Sequence, residues 1–72
     1  MDKRLARKFG VVLRQLRLGR KLSQEALAFE ASLDRTFISM LERGTRQPTL
    51  ETIFRLAKVL RVDPSSIVRR ME

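Results

Sequence analysis

The sequence predicts an all-α fold of five short helices. Every segment of useful length carries apolar residues at three- and four-residue spacing, and none alternates between turn signals as a strand does. Length sets the scale. With 72 residues and 43% apolar content, the chain is expected to be a single domain, residues 1–72, burying about 60% of its unfolded surface. It has no cysteine and no histidine. Disulfides and thiolate or imidazole metal sites are excluded, so packing alone has to hold the core.

The first helix is expected over Lys3–Arg20, with Leu5, Phe9, Val12, Leu13 and Leu16 on one stripe and Arg7, Lys8 and Arg14 on the polar side. Gly10 costs it about 1 kcal/mol against alanine, so its first two turns are expected to be loosely attached. Ser23 suits the N-cap of a second helix and Glu25 its first turn, with Leu27, Ala28 and Ala31 buried. Ser32-Leu33-Asp34 reads as a turn: Leu33 points inward and Asp34 caps a third helix. That helix buries Ile38 and Leu41 and stops at Gly44, a natural residue for a left-handed stop. After a basic loop, Thr45–Pro48, Thr49 caps a fourth helix whose Leu50, Ile53, Leu56, Ala57 and Leu60 face the core. Asp63-Pro64 opens a fifth, a cap followed by proline at the first helical position, anchored by Ile67 and Val68.

Sixteen Lys+Arg against eight Asp+Glu leave a net charge of +8, which favours a polyanionic partner. Twelve of the cations are arginine, whose planar fork suits phosphate and guanine. No apolar run approaches the roughly 18 residues of a membrane span, and the charged N-terminus has no signal-peptide core. A cytoplasmic location is expected. Asp2, Asp34, Asp63 and the scattered glutamates form no catalytic cluster, so an enzyme is not expected. The four aromatics are phenylalanines in core-like contexts and offer single strands no stacking platform. No metal, cofactor or small-molecule ligand is expected, and no ligand-sensing domain.

Burying Ile38 and Leu41 turns Arg35, Thr36, Ser39, Met40 and Arg43 outward. Arginine can pair with guanine O6 and N7, and threonine offers a hydroxyl and a methyl to thymine. An ordinary solvated face is the alternative. Spacing separates the two, because Ser23–Arg43 holds two short helices and a turn. That is the length that lets one helix bridge a DNA backbone while the next enters the major groove.

LSQEALA at Leu22–Ala28, DRTFISMLERG at Asp34–Gly44 and PTLETIFRLAKVL at Pro48–Leu60 resemble the Cro/CI-type (lambda-repressor-like, XRE) helix-turn-helix regulators. The resemblance covers residues 13–67, with the helix-turn-helix at 24–43 and the recognition helix at 34–43. Within the family, LDRTFISMLERG is most similar to small stand-alone regulators that include restriction–modification controller proteins. The resemblance implies a compact five-helix domain and a sequence-specific regulator of transcription. It would bind double-stranded DNA as a homodimer on a pseudo-palindromic operator, nucleoid-associated when bound. An antitoxin, binding a protein toxin and its own promoter, is the alternative.

Carried over by position, the resemblance assigns base reading to Arg35, Thr36 and Ser39. Backbone contacts fall to Ser23, Gln24, Arg43, Thr45 and Arg46, with Gln24 also buttressing the recognition helix. Phe37 lies between the two faces, either packed at the junction with the second helix or touching a thymine methyl or sugar. Arg17 and Glu42 match a family pair that forms a partly buried salt bridge; two exposed charges are the alternative. Lys21 and Ser32 stand where the family often has glycine, which shifts the exit of the first helix and strains the turn. Phe54, Val59, Val68 and Met71 are candidates for a symmetric dimer patch. Val62 is assigned to the monomer core, and Arg69 and Arg70 to solvent.

Overall fold

Caps and stops written into the sequence delimit five helices in the computed structural model, which describes all of Met1–Glu72. They are α1 (Lys3–Gly19), α2 (Gln24–Ala31), α3 (Arg35–Arg43), α4 (Leu50–Leu60) and α5 (Pro64–Arg70), with no strand. Asp2, Ser23, Asp34 and Thr49 each stand in extended backbone before a helix, and each side chain accepts from a first-turn backbone N–H. These bonds satisfy donors that a helix leaves open at its start. Asp63 holds the same position before α5 but makes no such bond, contrary to expectation. Pro64 has no N–H, so α5 begins with one donor fewer to satisfy.

The four longer helices end alike. Past each, one residue turns left-handed: Lys21 (φ 57°), Ser32 (φ 56°), Gly44 (φ 75°) and Arg61 (φ 58°). The next N–H then reaches back five residues: Leu22 to Arg17 O at 3.1 Å, Leu33 to Ala28 O at 2.8 Å, Thr45 to Met40 O at 3.0 Å and Val62 to Ala57 O at 3.1 Å. Glycine adopts this geometry freely, whereas a Cβ crowds the following carbonyl. The strain expected at Ser32 is therefore shared by Lys21 and Arg61. Leu22, Leu33 and Val62 pack against the core directly after the strained residue, the apolar contact that holds such a stop.

All five helices feed one core, with Phe9 and Leu13, Leu27 and Ala31, Ile38 and Leu41, Leu56 and Leu60, and Ile67 at its centre. Three expected core positions lie outside it. Leu5 is 49% exposed, Leu50 76% and Val68 50%. In α1 the inward line runs through Ala6, Phe9 and Leu13, which carries Leu5 to its edge. In α4 Thr52, Leu56 and Leu60 set the inward line at four-residue steps, and Leu50 is rotated to the outside. In α5 only Ile67 is buried, and Val68, one residue on, turns away.

Gly10 also corrects an expectation. Instead of loosening α1 it is buried against the backbone of α3: a Cβ there would stand 2.6 Å from Glu42 O and would collide with Leu41 O as well. The absent side chain lets the two helices meet.

Candidate nucleic-acid interface

The inner face of α3 is fixed by burial of Ile38 and Leu41. Helical geometry then fixes what faces out. Arg35, Thr36 and Arg43 are exposed, and Ser39 and Met40 are half-buried beside them. The Arg43 Nε donates to Ser39 O at 3.3 Å, laying the guanidinium along the helix. Thr45 Oγ1 donates to Met40 O at 3.2 Å just past its end. Ser23 is exposed at the start of α2 and is engaged as a cap, accepting from Ala26 N at 3.0 Å.

Beneath this face, the structure brings Arg17 and Glu42 together. Arg17 Nε donates to Glu42 Oε2 at 2.6 Å and Nη2 to Glu42 Oε1 at 3.0 Å, a bidentate pair. Nη1 donates to Leu22 O at 2.8 Å, tying the pair to the loop that enters α2. The two side chains are 10% and 5% exposed, so this is no surface ion pair. The hydrogen bond to Glu42 raises the Arg17 pKa, with burial acting against it and the charge of Glu42 adding to it. The stability the raised pKa confers is fully present at lower pH and is lost only as pH climbs through the strongly alkaline range.

Gln24 Nε2 also donates to Glu42 Oε1, at 3.1 Å, and so buttresses the recognition helix as the resemblance implies. One Nε2 hydrogen is spent on this bond and the second remains for another acceptor. One carboxylate thus joins α1, the start of α2 and the end of α3, and no buried side-chain polar atom is left without a partner.

Phe37 is half-buried and packs against the core. The exposed Arg46 lies over its ring, guanidinium carbon 5.9 Å from the centroid, within cation–π range. The dimer candidates separate into two groups. Val68 and Met71 line an apolar groove with Leu5, Phe9, Pro48 and Ile53; Phe54 stands 61% exposed one residue beyond Ile53. Val59 lies on the other flank of α4, in a cleft with Arg20, Arg55, Lys58 and Arg61. Five residues of α4 separate Val59 from Phe54, about 140° around the helix, so the two do not share a face. Arg69 and Arg70 are exposed.

Five helices with α2 and α3 joined by a tight turn define a helix-turn-helix protein, and the helix-turn-helix family matches residues 13–67. Over 61 residues the chain is 48% identical to the control protein C.BamHI of Bacillus amyloliquefaciens, covering 83% of this chain and 75% of that one. The crystal structure of the restriction–modification controller protein C.AhdI from Aeromonas hydrophila aligns with a TM-score of 0.84 at 44% identity, covering 86% of this chain and 94% of that chain. The controller protein C.Esp1396I, solved as a tetramer in complex with its natural 35-base-pair operator, aligns with a TM-score of 0.83 at 33% identity, covering 93% and 88%. The chain belongs to the helix-turn-helix family, in the group of the restriction–modification controller proteins.

Proposed function

We propose that this chain is a controller-type transcription regulator that binds double-stranded operator DNA in a sequence-specific manner. It acts as a homodimer on a pseudo-palindromic site, with residues 34–43 in the major groove. The observation that carries the reading is the outer face of α3: arginine, threonine and serine stand out on a helix whose inner face is locked to α1. On this reading Arg35 pairs with guanine, and Thr36 and Ser39 read neighbouring base edges. Ser23, Gln24, Arg43, Thr45 and Arg46 grip phosphates and set the register. The face around Phe54, Val68 and Met71 joins the two copies and spaces their recognition helices one DNA turn apart, about 34 Å. The similar relatives are control proteins, which favours the regulator over an antitoxin.

Enrichment of random duplexes on the purified protein at fixed salt tests this reading. The expected product is a two-fold symmetric site with half-sites one turn apart. A pool that stays random overturns it. Arg46→Ala is expected to weaken selected and unrelated duplexes alike and to lower the salt slope by about 1.

A further inference from the structure

We propose that the N-terminal end of α1 adds a phosphate site to the DNA interface: Lys3 and Arg7, together with Arg43, hold one backbone phosphodiester beside each recognition helix. This rests on the DNA-binding reading above and extends it to residues outside the helix-turn-helix core. An open cleft of about 340 Å³ lies where α1 starts and α3 ends, lined by Met1, Lys3, Arg7, Arg43, Gly44 and Thr45. Three of these side chains are cationic and none is a carboxylate. Asp2, the acid next in sequence, is turned away, accepting from Arg4 N at 2.9 Å and Leu5 N at 3.2 Å as the cap of α1.

The cleft is built on fixed backbone. Gly44 lies directly on Arg7, since a Cβ there would stand 2.9 Å from Arg7 Cγ and 3.0 Å from Arg7 Cα. Gln47 Nε2 donates to Asp2 O at 3.3 Å and ties the following loop to the same end of α1. Lys3 and Arg7 are four residues apart and share the flank of α1 that continues to Gly10 at the α3 seam, whereas Arg4 and Lys8 are rotated by about 100°.

Charge points the same way. The start of α1 carries Lys3 and Arg4, and the one carboxylate beside them, Asp2, is engaged in capping the first-turn N–H groups. The cations of the cleft are not needed to cap α3, because Gly44 N and Thr45 N already donate to Leu41 O and Met40 O. A phosphodiester suits the cleft: it is anionic, and its oxygens accept from guanidinium and ammonium groups at once.

The test compares the wild type with K3Q/R7Q and R4Q/K8Q on two probes, the duplex recovered by selection and a scrambled duplex of equal length, across a salt series. Both double variants remove the same charge from the same helix, and Arg7→Gln keeps the Cγ that covers Gly44. K3Q/R7Q is expected to weaken both probes by about fivefold per protomer at 0.15 M salt and to flatten the salt slope by about 1 per protomer. R4Q/K8Q changes the slope by less than half as much, and the swapped pair K3R/R7K restores it. Equal slope changes in the two glutamine variants overturn the cleft while leaving the DNA reading intact. A wild type that shows no salt-dependent binding to either duplex overturns both. If K3Q/R7Q does not fold, the single variants Lys3→Gln, Arg7→Gln, Arg4→Gln and Lys8→Gln decide on the same salt series: the first two are expected to flatten the slope more than the last two, and equal changes overturn the cleft.

Discussion

The two faces of α3 obey different rules. Inside, Ile38, Leu41 and the Glu42 carboxylate are matched to a partner each: core side chains, the backbone gap at Gly10, and the Arg17 fork. Outside, Arg35, Thr36 and Arg43 meet solvent. Nine residues therefore divide into a half packed against the rest of the molecule and a half turned to solvent. A helix that reads DNA has to be held without using the side chains that read, and here the holding is done from below.

The largest expected effect is on the inner side. Arg17→Ala leaves Glu42 buried with only Gln24 for company, and is expected to cost about 3 kcal/mol. Chemical denaturation checks it, and a loss below about 0.5 kcal/mol would mean the pair behaves as exposed charges. Replacing both partners, Arg17→Met with Glu42→Leu, is expected to recover most of the loss, because no charge is then stranded. Next comes Gly10→Ala, which helix propensity alone scores as a gain of about 1 kcal/mol. Pressed against the carbonyls of Leu41 and Glu42, the new methyl is expected to destabilise by about 2 kcal/mol instead. A thermal melt that rises would show that the α1–α3 seam is looser than drawn. The smallest effect lies between the two faces, at the turn. Ser32→Gly is expected to stabilise by about 0.5–1 kcal/mol through relief of its left-handed backbone, without altering DNA affinity.

The helices were legible because their punctuation is local. Asp34 and Gly44 bound α3 by chemistry that needs no knowledge of the fold, and the periodicity of Ile38 and Leu41 named its inner face. Arg17 and Glu42 are 25 residues apart, and only the family resemblance, not any periodicity, joined them. What stayed hidden depends on which helix lies opposite. Gly10 reads as a flaw in α1 until the carbonyls of α3 are laid against it. The contact of Gln24 with the recognition helix comes from the resemblance, while its partner Glu42 and the meeting of Lys3 and Arg7 with Arg43 have no sequence signature. Leu5 and Leu50 differ from expectation for a simpler reason: an apolar residue at the edge of a helical stripe counts as core by periodicity, while packing decides its exposure.

The separation of the two faces is tested most directly by repeating the duplex selection with Arg35→Ala and measuring the stability of the same preparation. Base preference is expected to relax at one position in each half-site, with an affinity loss of about 1–3 kcal/mol and stability within about 0.5 kcal/mol of the wild type. An unchanged site and unchanged affinity would contradict the placement of the outer face of α3 in the groove.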